Sequence, residues 1–272
     1  MAVCLSMRLS SSTSTTISIP LRPFKTVSNF SAKMSLLSPS SNSNSKNTLI
    51  VVSTGDDNRT RKLPVLLFDI MDTIVRDPFY HDVPSFFGMS MKELLECKHP
   101  TAWLEFEKGM IDEMELTRKF FKDGRPLDLE GLKDCMIRGY SYLEGIEELL
   151  SDLKENNYEM HAFTNYPIWY KLIEDKLKIS NYLSWTFCSC VSGKRKPDPD
   201  FYLEAVRHLK IDPADCIFID DRLKNIEAAV EVGLVGLHFK NADLLRNDLS
   251  QMGINISKSE SHRTHNQPQL SE

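Results

Sequence analysis

Apolar positions along this chain fall into two regimes, and the change comes near Lys62. From there onward, short unbroken apolar runs alternate with stretches in which apolar residues recur every three or four positions. The runs Val65-Leu66-Leu67-Phe68, Met160-His161-Ala162-Phe163, Trp185-Thr186-Phe187-Cys188, Cys216-Ile217-Phe218-Ile219 and Leu234-Val235-Gly236-Leu237 have the length of strands. They lack the polar alternation that a half-solvated sheet would show, so both faces are expected to be buried. Helical periodicity occupies Gly145 to Lys154, Ile168 to Lys178, Pro199 to Leu209 and Lys224 to Val232. Strand and helix in alternation predict an α/β fold: a Rossmann-like parallel sheet with helices over both faces.

One interval breaks this rhythm. About 90 residues separate the first run from the second, where a single crossover helix needs only about a dozen. Much of the interval is helical in period: Ser90 to Cys97, Thr101 to Lys108, Asp112 to Lys122, and Leu129 to Gly139, with the breaker Gly124-Arg125-Pro126 between the last two. A small helical cap inserted after the first strand is therefore expected. The chain divides on this reading into an α/β core over 61–78 and 145–250, a cap over 79–144, and a flexible polar tail over 251–272.

The first 60 residues are of different composition. No Asp or Glu occurs through Gly55, Ser and Thr abound, and Arg8, Arg22, Lys25, Lys33 and Lys46 supply isolated positive charge. That is the chemistry of a cleavable transit peptide. Sparse Arg and heavy Ser/Thr favour a chloroplast, and hence its stroma, over a mitochondrion. No stretch approaches the roughly 20 apolar residues that cross a bilayer, so no membrane partner is expected. The whole chain has 272 residues, 41% of them hydrophobic, and a net charge of −5. That charge gives no positive field to gather nucleic acid, and a small-molecule substrate fits better. Six cysteines without a paired framework read as reduced thiols.

In an open parallel sheet, ligands gather beyond the carboxyl ends of the strands. The first run delivers Asp69, within Asp69-Ile70-Met71-Asp72-Thr73. The second delivers Thr164 and Asn165, and the fourth Asp220 and Asp221, with Asn225 following. A basic loop, Gly193-Lys194-Arg195-Lys196-Pro197-Asp198-Pro199, precedes a helix. Taken singly, each is as well explained by a helix cap, a turn or a solvated charge. Their ordered occurrence at successive strand ends is what marks a site.

This ordered set, with Lys196 in Lys-Pro-Asp-Pro, resembles the four motifs of the haloacid dehalogenase superfamily over about residues 63 to 240. Phe106-Glu107-Lys108-Gly109-Met110-Ile111-Asp112 resembles the cap of its phosphatase branch. Phe68-Asp69-Ile70-Met71-Asp72-Thr73 and Phe163-Thr164-Asn165-Tyr166-Pro167-Ile168-Trp169-Tyr170 are similar to plant chloroplast flavin mononucleotide (FMN) hydrolases. The resemblance implies a Mg²⁺-dependent phosphomonoester hydrolase working through an aspartyl-phosphate, with FMN going to riboflavin and phosphate. It implies Asp69 as nucleophile, with Thr164 and Lys196 catalytic. Thr164, Asn165 and Lys196 would bind the phosphoryl group. Asp69, Asp221 and the Met71 backbone carbonyl would hold Mg²⁺, with Asp220 a further ligand or its neighbour. Carboxylate attack on an anionic ester requires such cations to offset the repulsion.

Met71 departs from the family's phosphatase pattern, which places a second Asp there to protonate the leaving oxygen and then activate water. A thioether cannot move protons. Three outcomes stay open: a slow phosphatase, a substitute acid such as Asp72 or a cap residue, or different chemistry. The alternatives are accordingly a phosphatase for another small ester, a metal-independent dehalogenase-like hydrolase, and a binding protein without turnover. Asp72, at an odd offset from Met71, is expected to point elsewhere. Of the aromatics in and beside the cap, most are expected to pack helices, with Phe86 and Tyr166 the best candidates for walls of a pocket.

Overall fold

Each of the five apolar runs forms a strand in the computed structural model, which describes residues 63–256. The leader read over 1–60, and the tail after Ile256, lie outside the described residues. The strands are β1 (Val65–Phe68), β2 (Met160–Thr164), β3 (Ser184–Cys188), β4 (Cys216–Asp220) and β5 (Val235–His238). All pairings are parallel and the order is β3-β2-β1-β4-β5. β1, first in sequence, is central in space. Phe68 lies opposite both Ala162 and Ile219, and the Asp69 N–H donates to the Ile219 carbonyl at 2.9 Å. Thr164 and Asp220, read as the residues beyond the second and fourth runs, are the last residues of their strands.

Side chains alternate across the pleat, and the core divides accordingly. Leu66, Phe68, Ile217 and Ile219 join one buried cluster; Val65, Leu67, Phe163 and Phe218 join the other. The first cluster continues into the cap through Leu94, Phe106, Leu116, Phe120 and Met136.

The 90-residue interval is helical as expected: α1 (Pro78–His81), α2 (Val83–Phe86), α3 (Met91–Cys97), α4 (Ala102–Glu107), α5 (Glu113–Lys119) and α6 (Leu129–Gly139). Capping boxes start two of them, Ser90 with Glu93 and Asp112 with Glu115, each satisfying two otherwise orphaned backbone donors. The one-turn helices α1 and α2 were too short to leave a periodic signal. Around the sheet lie α7 (Ile146–Glu155), α8 (Tyr170–Leu177), α9 (Ser189–Ser192), α10 (Pro199–Leu209), α11 (Leu223–Glu231) and α12 (Ala242–Gln251).

Residues 251–256, the described part of the stretch read as a flexible tail, are held against the core. Ile254 and Ile256 are buried in the larger core cluster, and the Asn255 N–H donates to the Tyr158 hydroxyl at 2.8 Å. Two apolar side chains in a polar stretch hold these residues down.

Candidate active site

The carboxyl ends of β1, β2 and β4 open into a cavity of about 380 Å³ between sheet and cap, a size ordinary for small-molecule sites. Asp69, Met71, Asn165 and Lys196 line it from the core side.

Lys196 is the centre of the charge arrangement. Its ammonium donates to Asp220 Oδ2 at 2.7 Å and lies 2.9 Å from Asp69 Oδ1. It sits 5.0 Å from the centre of the Phe218 ring and 5.5 Å from that of Phe163. Burial opposes its charge, but Asp220 and Asp69 outweigh that and hold it above the usual lysine range. Asn165 fixes the backbone here. Its amide donates to the Lys196 carbonyl at 2.9 Å, and its Oδ1 accepts the Lys196 N–H at 2.8 Å. The side chain expected to bind the phosphoryl group lines the cavity and also holds Lys196 in place.

Asp220 is fully enclosed. Besides Lys196 it accepts from the Arg222 N–H at 2.7 Å and from Asn225 Nδ2 at 2.9 and 3.1 Å. Asp221 differs: its N–H donates to Thr73 Oγ1 at 3.1 Å, and its Oδ1 is buried with no hydrogen-bond partner. Thr73 was not singled out from the sequence, although its hydroxyl ties the loop after β1 to the end of β4.

Asp69, Asp220 and Asp221 each offer an oxygen within 4.8 Å of the others. Burial pushes the Asp69 carboxyl up to about 7 even though Lys196 pulls it down. Burial, then Asp220, raises Asp221. Three carboxylates gather around the Lys196 ammonium, with Arg222 4.0 Å from Asp221 at the more open edge, and one buried oxygen stays unpartnered. Those are the conditions a hard divalent cation satisfies. A second orphan, the buried Thr164 hydroxyl, has no partner either.

The cap contributes the opposite wall. Trp103 and Glu107 stand one turn apart on α4, and the Trp103 indole N–H donates to Glu107 Oε1 at 2.9 Å. Arg195, the neighbour of Lys196, donates to Glu107 Oε2 at 3.1 Å. Ser189 Oγ donates to the Glu107 carbonyl at 2.5 Å and accepts the Tyr166 N–H at 3.0 Å. Gly109, at φ +66°, packs so closely on the Cys190 carbonyl that a Cβ there would collide with it. Tyr166 lines the cavity as expected, its hydroxyl 2.8 Å from that of Tyr140. Phe86 does not; it packs against Phe87 away from the cavity. Most other aromatics are packing residues, as anticipated: Phe106, Phe120, Phe121 and Trp169 are buried. The sequence reading missed Asp77, Phe79, Tyr80, Trp103 and Glu107 as cavity residues. The i, i+4 spacing of Trp103 and Glu107 was the available signal for that pair.

A family model for haloacid dehalogenase-like hydrolases matches residues 63–233. Flavin mononucleotide hydrolase 1 of Arabidopsis thaliana chloroplasts is 68% identical over 206 residues, covering 75% of this chain and 84% of that protein. N-acetylmuramic acid 6-phosphate phosphatase of Pseudomonas putida is 29% identical over 185 residues, 63% of this chain and 80% of that protein. Among solved structures, a haloacid dehalogenase family enzyme of Bacteroides thetaiotaomicron in complex with magnesium and inorganic phosphate superposes with a TM-score of 0.54. It is 19% identical and covers 66% of this chain and 95% of its own. The chain belongs to the haloacid dehalogenase-like hydrolases and is a phosphatase of that family.

Proposed function

We propose that the chain hydrolyses FMN to riboflavin and phosphate, with Asp69 as nucleophile and Mg²⁺ as cofactor. The 68% identity to a chloroplast FMN hydrolase carries the substrate assignment. The Lys196 ammonium between Asp69 and Asp220 carries the chemistry. On this reading Asp69, Asp221 and the Met71 backbone carbonyl hold Mg²⁺, and Asp220 anchors Lys196. The ion supplies charge neutralisation at the phosphoryl oxygens.

Asp69 approaches phosphorus with Lys196 beside it, so that negative charge gathering on the transferring oxygens meets a fixed ammonium. The Thr164 hydroxyl, buried without a partner, donates to one of those oxygens. Asn165 holds the Lys196 backbone in place. Tyr80, Trp103 and Tyr166 offer aromatic faces to a flat ring. The acid-free leader and the plastid location of the relative support delivery to the chloroplast stroma.

The purified chain is expected to release phosphate from FMN with Mg²⁺, to lose this in EDTA, and to lose it in Asp69→Asn. Faster turnover of another member of a phosphate-ester panel would replace FMN as substrate. Activity insensitive to EDTA would favour a dehalogenase-like reaction, against which the unpartnered Asp221 oxygen speaks.

A further inference from the structure

Phosphate-ester hydrolysis needs a proton donor for the departing alkoxide and an acceptor for the attacking water, and Met71 can be neither. We propose that Asp77 performs both tasks in this chain. The inference rests on the phosphatase reading with Asp69 as nucleophile, and it is independent of which ester is the physiological substrate.

The geometry begins with the turn after β1. The Asp72 N–H donates to the Val75 carbonyl at 2.7 Å, and Met71 bridges to Val75. Asp72 has a left-handed backbone, φ 56°, and its Oδ1 accepts the Asp77 N–H at 3.0 Å. This fold-back returns Asp77 to the loop that carries Met71, and both side chains line the cavity with Asp69. Asp77 is 8% exposed. Its Oδ1 accepts the Phe79 N–H at 2.9 Å, and its other oxygen has no hydrogen-bond partner among the described residues.

The competing groups are otherwise engaged. Glu107 has one oxygen on Trp103 and the other on Arg195. Asp72 does not line the cavity. Tyr166 is paired with Tyr140, and burial keeps its hydroxyl well above the ordinary range. Lys196 is held charged by two carboxylates. Lys98, at the cavity's cap side, is lowered by burial, and with Lys224 and Tyr80 it completes the set of rivals that line the cavity.

The setting suits a proton shuttle. An Asp capping a helix ordinarily has a depressed pKa, yet burial pushes Asp77 up to about 7, with Asp72 and Glu107 adding to the rise while Arg222 and the Phe79 N–H oppose it. Tyr140 and Tyr166 face it as neutral phenols. A carboxyl near 7 can give a proton and take one back.

In the first step the Asp69 carboxylate oxygen bonds to phosphorus, the P–O bond to the alcohol breaks, and the leaving oxygen takes the proton of Asp77. In the second, the Asp77 carboxylate takes a proton from water as its oxygen bonds to phosphorus. The P–O bond to Asp69 then breaks, freeing phosphate and both starting groups, for a net consumption of ester and water.

The bland alternative is that Asp77 only caps α1, and substitution separates the two. Asn and Ser both cap helices well but shuttle no proton here. In the full chain, Asp77→Asn and Asp77→Ser should keep the wild-type melting temperature or exceed it. They should lower kcat on alkyl phosphates about 10²- to 10⁴-fold with little change in KM. With p-nitrophenyl phosphate, whose leaving group needs little protonation, the variants should release a burst of one nitrophenolate per enzyme and then stall. Adding Met71→Asp to Asp77→Asn should restore turnover at least tenfold. Wild-type-like turnover in both Asp77 variants would overturn the inference, as would transfer of the burst phenotype to Lys98→Met or Glu107→Gln. Because the assay runs on any ester the wild type accepts, failure on FMN alone would sink the substrate assignment and leave Asp77 decided separately.

Discussion

Lys196 illustrates how tightly single residues are bound into this site. It is 1% exposed between two carboxylates, so Lys196→Met would strand Asp69 and Asp220 in a dry interior. The expected cost is about 3–5 kcal/mol, read by chemical denaturation, with phosphatase activity lost at the same time. Asp77 carries a pH signature of its own. Its folded carboxyl lies near 7 against an ordinary 3.8, so the folded state keeps a proton that the unfolded chain gives up. The stability this contributes is complete below about 3.8 and is lost as pH rises through 7. Asp77→Asn removes that dependence. Its stability relative to wild type should therefore improve by up to about 4 kcal/mol between pH 4 and pH 8, and denaturation curves that stay parallel across that range would contradict it. At this scale the sequence was legible at strand ends and in the basic loop: Asp69, Asp220 and Asp221 converge with Lys196, while Thr164 ends β2 with its hydroxyl buried and unpartnered. It was mute on Asp77 and Thr73, whose meaning depends on a chain reversal through a left-handed Asp72 that no periodicity records.

Among elements, the cap's seat on the core is the informative join. α4 meets the core through the Glu107 carbonyl on Ser189, the Glu107 carboxylate on Arg195, and Gly109 against Cys190. α5 adds the Trp169 indole N–H donating to Glu113 at 2.6 Å. Gly109→Ala meets both a positive φ and a carbonyl, a strain on the order of 1–3 kcal/mol. Hydrogen exchange should quicken in α4 while β1 and β4 stay protected, and kcat/KM should fall at least tenfold; unchanged exchange in α4 would refute the role given to this contact. Leu129–Gly139 and Pro199–Leu209 were read from the sequence with the bounds the structure shows, because Asp128 and Asp198 cap them and their apolar faces are periodic. α1, α2 and α9 escaped because four residues complete barely one turn.

For the molecule as a whole, the balance of charge around Asp221 predicts a link between cation and stability. Whatever binds only the folded state raises its stability by about 2.7 kcal/mol at a hundredfold excess over Kd. Mg²⁺ should accordingly raise the melting temperature, EDTA should reverse this, and Asp221→Asn should abolish the shift; a wild-type melting curve indifferent to Mg²⁺ would argue against the site. The overall α/β plan was evident from five apolar runs; β1, β2 and β4 are buried throughout, as a parallel sheet covered on both faces requires, while the edge strands β3 and β5 are only partly buried. The order in which they pair was not evident, because nothing in the runs says that the first lies in the middle.

Arg195 and Lys196 are consecutive residues with divergent allegiances, one reaching up to the cap's Glu107 and the other down to Asp69 and Asp220. Backbone continuity gives the cap wall and the charged floor one shared anchor. A substitution that unseats Arg195 from Glu107 acts one residue away from the ammonium that pairs with Asp69 and Asp220.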